Sequence, residues 1–315
     1  MATYQHILHE TKGVRESFDL ASRLDIMSYV TLPAAIFDVN INTQWAEIFN
    51  STEGIRGAKK LGEIETPIVV EESEGYQVTL QSERYGSGVI VTSTDMQKMR
   101  DGTIQVRPFF DRQRDDQLND LRHLMARSFH QMLNEGFNSS AEYLAPDGVE
   151  LFGTHTYKTG QQFTNSATLK MSLDAMEALD EYGGNFKDGS NNEDPQDFNV
   201  IVVKKGSQSE QAAKRVLNAE YMQYPDPVSN IDIFRGEKMI VATPYITNGD
   251  HWYAFALDYR KSPLYVGVVQ MPTMHEPIDL ENQSIRMNVE AFWKQGIVKV
   301  PVNAYGSDGS TGSFS

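Results

Sequence analysis

The strongest pattern in the chain is one apolar stripe at helical spacing. Phe109, Leu118, Leu121, Leu124, Met125, Phe129, Met132 and Leu133 recur at intervals of three and four, which gathers them on one face of a helix. Pro108 suits a first helical turn, where its missing N–H leaves no bond unmade, and Gly136 stands where a left-handed cap closes a helix. The predicted helix, 108–135, is about 42 Å long, more than twice the usual length. Asp111, Arg112, Arg114, Asp115, Asp116 and Arg122 make its other face a solvated charged surface. A single stripe over that length predicts a spine lying across a sheet, or a helix in a bundle.

Upstream of this helix the period changes from helical to alternating. Tyr76, Val78 and Leu80 alternate with Gln77, Thr79 and Gln81, and Val89-Ile90-Val91-Thr92 follows Tyr85-Gly86-Ser87-Gly88. The pattern predicts a long projecting β-hairpin over 76–92, with its turn at 85–88. An isolated two-stranded ribbon is marginal in water, so another domain or another subunit must support it. Residues 51–74, with Gly54, Gly57 and Gly62, read as a loop. Residues 1–50 scatter Phe18, Leu20, Leu24, Met27, Tyr29, Phe37, Trp45 and Phe49 among polar positions, with a weak helical pattern through Val14, Phe18 and Ala21. They read as an arm lying on something else, or alternatively as the first helix and strand of an ordinary domain.

From about residue 140 the texture is α+β. The predicted helices are Leu169 to Tyr182, ended by Gly183-Gly184, and a second that opens on the capping box Ser207-Gln208-Ser209-Glu210 and runs to about Tyr221. Pro225 to Asn230 reads as a turn. Strands are expected at Phe198 to Val203, Lys238 to Ala242, His251 to Asp258 and Leu264 to Met271. Ile285, Met287, Val289, Ala291 and Trp293 share one strand face, and Val298, Val300, Val302 and Ala304 continue the alternation. Gly306 to Ser315 reads as a mobile Gly/Ser-rich tail.

Composition narrows the class of protein. The chain has 315 residues with 43 acidic and 28 basic side chains, a net charge of −15, which disfavours sequence-independent binding to a phosphate backbone. It has no cysteine, which excludes disulfides, zinc-thiolate sites and thiol nucleophiles and fits a reducing compartment. No apolar run approaches a membrane span, and Met1 to Gly13 lacks the apolar core of a signal peptide, so a cytoplasmic product is expected.

Candidate chemistry is sparse. His155 in Gly153-Thr154-His155-Thr156 and His251 in Asp250-His251-Trp252 are imaginable ligands or general bases, but neither belongs to a chelating pair. His6 and His9 share a helical spacing near the terminus. Gly86-Ser87-Gly88 lacks the Lys and helix start of a phosphate loop, and no nucleophile elbow or dinucleotide fingerprint occurs. Asp188, Asn191, Asn192, Glu193 and Asp194 fail the EF-hand spacing and read as a solvated loop. No catalytic, cofactor-binding or metal residue is assigned. The remaining enzymatic reading is a soluble α+β enzyme centred on His155 or His251.

Taken in order, these features resemble the tailed-phage major capsid proteins of the Hong Kong 97-type fold, and more narrowly the major head subunits of Mu-like phages. Ser82 to Thr92 resembles the returning strand of the extended loop before the spine helix. Leu151-Phe152-Gly153-Thr154-His155-Thr156-Tyr157 with Gly160 and Asn165, Asn199 to Val203, the helix from Ser207, Asn230 with Arg235-Gly236, Val241 to Pro244, and Trp252-Tyr253 recur in the family's order. The resemblance implies an α+β fold with an N-terminal arm (1–50), an extended loop (51–95), a peripheral domain with the spine helix (96–139 and 283–306), an axial domain (140–282) and a flexible tail (307–315). It implies a non-enzymatic shell subunit forming hexamers and pentamers around packaged double-stranded DNA, in a virion assembled in a bacterial cytoplasm. Scaffolding, portal and decoration proteins are the implied partners; because the arm begins at once, scaffolding is expected from a separate protein, or the sequence is that of a processed form. A nanocompartment shell of the same fold is the alternative. Some relatives crosslink an extended-loop Lys to a neighbour's Asn; Lys59 and Lys60 lie in that region but read as solvated charges.

Overall fold

The computed structural model describes residues 36–55, 72–140, 142–218, 238–257, 261–275, 278–280 and 284–312. In chain order the elements are β1 (Asp38–Ile41), β2 (Ala46–Ile55), β3 (Glu72–Gln81), β4 (Glu83–Val91), α1 (Ser93–Arg100) and α2 (Val106–Asn134). There follow β5 (Thr154–Thr156), β6 (Gln162–Thr164), β7 (Ser166–Leu169), α3 (Leu173–Gly184), β8 (Val200–Lys204) and α4 (Gln208–Asn218). The chain closes with β9 (Met239–Thr243), β10 (Trp252–Phe255), β11 (Leu264–Met274), β12 (Ile278–Asp279), β13 (Ile285–Ile297) and β14 (Ala304–Thr311).

One sheet runs β1-β11-β13-β12, with β4 added along β13. The predicted alternation in β13 is realised: Ile285, Met287, Val289, Ala291 and Trp293 are all fully buried. They face α2, whose 29 residues make a rod of about 44 Å across the sheet. Phe110, Leu118, Leu121, Met125, Phe129, Met132 and Leu133 are its buried stripe, so the spine reading holds almost residue for residue. Leu124, 37% exposed, and Phe109, which stays partly buried while Phe110 takes its place in the stripe, are the exceptions.

The second sheet runs β7-β14-β10-β8-β9. Its central strands β8 and β10 are buried on both faces, which explains the unbroken apolar run in β8. Val200 and Val202 face the core shared with α2, while Ile201 and Val203 face α3 and α4. Helix α4 opens as its sequence requires. The Glu210 amide donates to Ser207 Oγ at 3.1 Å, and the Glu210 carboxylate accepts from the Gly206 amide, one residue earlier than the usual box.

Four expectations are corrected. The hairpin turn is not at 85–88: Gly86 and Gly88 lie inside β4, which pairs with β13 from Val91↔Ile285 to Glu83↔Trp293, and the true hairpin pairs β2 with β3. A side chain at Gly86 would lie 3.0 Å from the Val289 carbonyl, so the glycines allow close strand approach rather than a turn. The helix expected from Leu169 starts at Leu173, because Ser172 caps it by accepting from the Ala175 amide at 3.2 Å, and residues to Leu169 form β7. The alternation at 298–303 is not strand, since Pro301 has no N–H for a ladder. The tail from Gly306 is not loose: β14 carries it to Thr311 between β7 and β10, with Ser307 fully buried.

Candidate functional site

The histidines offered as chemistry are built into packing. His155 is fully buried, with Nδ1 at 3.0 Å from Asp147 Oδ2, Nε2 at 3.2 Å from the Leu151 carbonyl, and its ring stacked on Phe163. Burial pushes the Asp147 carboxyl up, but the bond and charge of His155 and the amides of Thr156 and Val149 outweigh it and hold it below its ordinary value. Both ring nitrogens are engaged, so neither is available to a substrate. His251 lies edge-on to Phe137 with ring centres 5.1 Å apart, and half-burial lowers its pKa. Asp188 closes its own turn by accepting from the amides of Ser190 and Asn192, each at 2.8 Å. Among the described residues no three His, Asp or Glu side chains converge as metal ligands. His6, His9, Lys59, Lys60 and Arg235-Gly236 lie outside the described residues.

Neighbouring His130 is more informative about the body. Its Nδ1 donates to the Ala126 carbonyl at 2.7 Å, which leaves Nε2 to accept from the Thr243 hydroxyl at 3.0 Å. Burial lowers its pKa to about 4, so the ring is neutral and ties α2 to the end of β9. Asn165 ties another junction. Its amide nitrogen serves the carbonyls of Leu151, Pro301 and Ala304, and its oxygen accepts from the Gly153 amide.

What remains unabsorbed by the body is the β2–β3 hairpin. Ala46↔Gln81, Ile48↔Thr79 and Asn50↔Gln77 are among its pairs, and no other strand of the described residues joins its two-stranded sheet. The inner face of its base is sheltered by its own chain. Phe49 lies 4.6 Å from the Tyr265 ring, Leu80 packs on Gly296, and the Tyr76 hydroxyl donates to the Thr156 carbonyl at 2.9 Å. The outer face is not: Ile48 is 64% exposed and, at the joint, Trp45 is 58% exposed while packing on Phe292.

Two further features adjoin the spine. Among the described residues β4 pairs only with β13, so its outer edge is open. Beside it lies a groove of about 740 Å³, walled by Glu83 and Tyr85 of β4, Leu124, Arg127 and Gln131 of α2, and Tyr245. Exposed apolar residues on a ribbon and an unpaired sheet edge are features through which protein surfaces associate. The sequence alternation in 76–81 marked the ribbon. Nothing in the sequence marked Glu47, Lys294 and Tyr265, which meet at its base.

No family model matches the sequence, and no curated protein matches it. Solved structures do match. A chain of Mycobacterium phage Patience is similar over 96% of this chain and 89% of its own, at a TM-score of 0.55 and 11% identity. The capsid of Myoviridae phage XM1 is similar over 89% and 91%, at a TM-score of 0.50 and 10% identity. A virus-like particle from Pyrococcus furiosus is similar over 94% and 98%, at a TM-score of 0.47 and 13% identity. The α+β architecture is the Hong Kong 97-type fold.

Proposed function

We propose that this chain is a structural shell subunit, a major capsid protein whose copies close into an icosahedral head around packaged double-stranded DNA. The observation that carries this reading is the β2–β3 hairpin, held by its base and exposing Ile48 and Trp45, on a fold shared with a phage capsid protein. A ribbon of this kind is covered when it lies over a neighbouring copy, and mutual overlap ties a lattice together. In this reading the arm, expected over 1–50, leads into β1, and the extended loop, expected over 51–95, is β2–β3 alone, since β4 pairs with β13 in the first sheet. The first sheet with α2 is the peripheral domain, and the second sheet with α3 and α4 is the axial domain whose ends meet around five-fold and six-fold positions.

The subunit acts without catalysis. The engaged nitrogens of His155 support this, since a general base needs a nitrogen that substrate can reach. The net charge of −15 supports a wall that does not grip phosphates, so that DNA packs and leaves. Hexamers and pentamers of the chain itself are the expected assembly units. Scaffolding, portal and decoration proteins are the expected partners, and assembly in a bacterial host cytoplasm is the expected setting. Among the described residues no helix is long and apolar enough to cross a membrane.

Light scattering with negative-stain microscopy of the purified full chain, alone and with its scaffolding partner, tests the proposal. Closed shells or ring-shaped capsomers are expected. A monomer of 35.5 kDa at high concentration under both conditions overturns it. Shells filled with an enzyme in place of DNA would make the chain a nanocompartment subunit of the same fold.

A further inference from the structure

The hairpin leaves the body at two places, and both are unusual. On the entering side the β1–β2 joint passes through Asn42, whose φ of 60° is left-handed, a conformation side chains other than Gly, Asn and Asp rarely adopt. On the returning side a single residue, Ser82, separates β3 from β4, and its amide donates to the Trp45 carbonyl at 2.9 Å. At each joint a hydroxyl is buried without a hydrogen-bond partner: Thr43 Oγ1 on one side and Ser82 Oγ on the other. A buried hydroxyl with no partner is costly, and the cost vanishes when the joint opens to water or to a different angle. The observed angle of the hairpin therefore carries a local penalty that something else offsets.

The offsetting contact lies between the joints. Lys294 of β13 has no exposed side-chain surface. Its ammonium reaches the Gln44 carbonyl, within the joint, at 2.5 Å and Glu47 Oε2, on the limb, at 3.2 Å. The Tyr265 hydroxyl, from β11, donates to the same Glu47 oxygen at 2.6 Å. Gly267 makes room, since a side chain there would come within 2.8 Å of Lys294 Cε. Only the lysine end of this pair is buried, since Glu47 keeps 24% of its side chain exposed, and desolvating the ammonium consumes much of the attraction. What the pair does supply is a demand for one geometry, since a displaced Glu47 leaves the lysine charge buried alone.

We propose that Lys294, Glu47 and Tyr265 form a latch that sets the angle of the β2–β3 hairpin against the body, and that the hairpin swings about Asn42–Gln44 and Ser82 when the latch opens. The inference rests on the shell reading for its purpose: the angle decides where the ribbon meets a neighbouring copy, so the latch separates a subunit ready to close a shell from one that is not.

Amide hydrogen exchange on the full chain tests it. In Glu47→Gln, which leaves the Lys294 charge buried beside a neutral group, the amides of Ala46–Asn50 and Gln77–Gln81 should exchange at least about tenfold faster, while those of β8 and β10 keep their protection. In the double variant Glu47→Leu with Lys294→Met, protection should return to within about threefold of the parent, because no charge is left unpaired. Equal acceleration in β8 and β10, no acceleration, or a double variant as exposed as Glu47→Gln each overturns the latch. If Glu47→Gln does not fold, Tyr265→Phe removes one bond and no charge; about threefold faster exchange confined to the hairpin is expected, and unchanged exchange overturns the proposal. Microscopy of the same samples separates the two readings. A parent chain that forms no shells removes the shell function while the exchange result still decides the latch. A parent that forms shells, beside a Glu47→Gln that forms open or irregular ones, supports both.

Discussion

Strands β10 and β2 are held in opposite ways. β10 lies between β14 and β8, and all four of its residues, Trp252 to Phe255, are fully buried. β2 has one partner, one sheltered face through Glu47 and Phe49, and one open face through Ile48. The centre of the body is thus finished by its own chain, whereas the limb is finished only on the side that faces the body. Burial on both faces makes a strand part of a cooperative core; burial on one face makes it an element whose position a few polar contacts can decide.

The contrast is broken most forcefully at Trp252, whose indole fills the core between the second sheet and α3 and donates to the Leu169 carbonyl at 2.8 Å. Trp252→Ala should cost about 3–5 kcal/mol, read from the denaturant midpoint. A loss under about 1 kcal/mol would mean that the body is not the cooperative unit described.

Acid acts on the same body with a smaller effect. The folded pKa of His130 is about 4, against an ordinary value near 6.5, so between those values the unfolded chain binds more protons. Its contribution is complete above about pH 6.5 and is lost as pH falls toward 4, about 3 kcal/mol in all. The half-buried His251 acts in the same direction. Denaturation at pH 7, 5.5 and 4.5 should show the decline, and His130→Gln should flatten it; an equally steep decline in that variant would place the cause elsewhere.

Gln117 sharpens the comparison from inside the spine. It sits 2% exposed in the apolar stripe of α2, and neither its amide oxygen nor its nitrogen has a partner. Gln117→Leu should raise stability by about 1 kcal/mol, since it removes two unsatisfied polar atoms at nearly constant volume. A fall in the midpoint would show that the amide is satisfied in solution.

The smallest effect on the isolated chain is expected on the limb. Ile48→Ser should change stability by less than about 0.5 kcal/mol, because the side chain is already in water. Shell yield by light scattering should nonetheless drop, which is the signature of a surface that a second copy covers. Unchanged yield would show that this face stays open in the assembly.

Much of the body was legible in the residue pattern. The α2 stripe, the inward row of β13, the two-sided run of β8 and the Ser207–Glu210 cap all follow from periodicities and local bonds within a few positions, which sequence carries directly. The order of these elements pointed to the fold, and structural similarity at 10–11% identity bears it out, because burial pattern and topology persist where residue identity does not. His155 and His251, which the sequence offered as candidate chemistry, are packed in the fold, His155 against Asp147 and Phe163 and His251 against Phe137, contacts that no spacing announces.

Alternation states that one face of a strand is buried without saying against what. Gly86-Ser87-Gly88 therefore looked like a turn until β13, some 200 positions later, took β4 as its partner. The Gly/Ser-rich end looked loose until β7 and β10 enclosed it. Nothing in the sequence joined Glu47 to Lys294 until the sheet placed one against the other with the lysine side chain fully buried. Sequence alone determined the local elements, since their bonds and periods span a few neighbours. Tertiary structure alone decided the strand partners and the pairing of Glu47 with the buried Lys294, since those energies exist only between segments that the chain brings together from far apart.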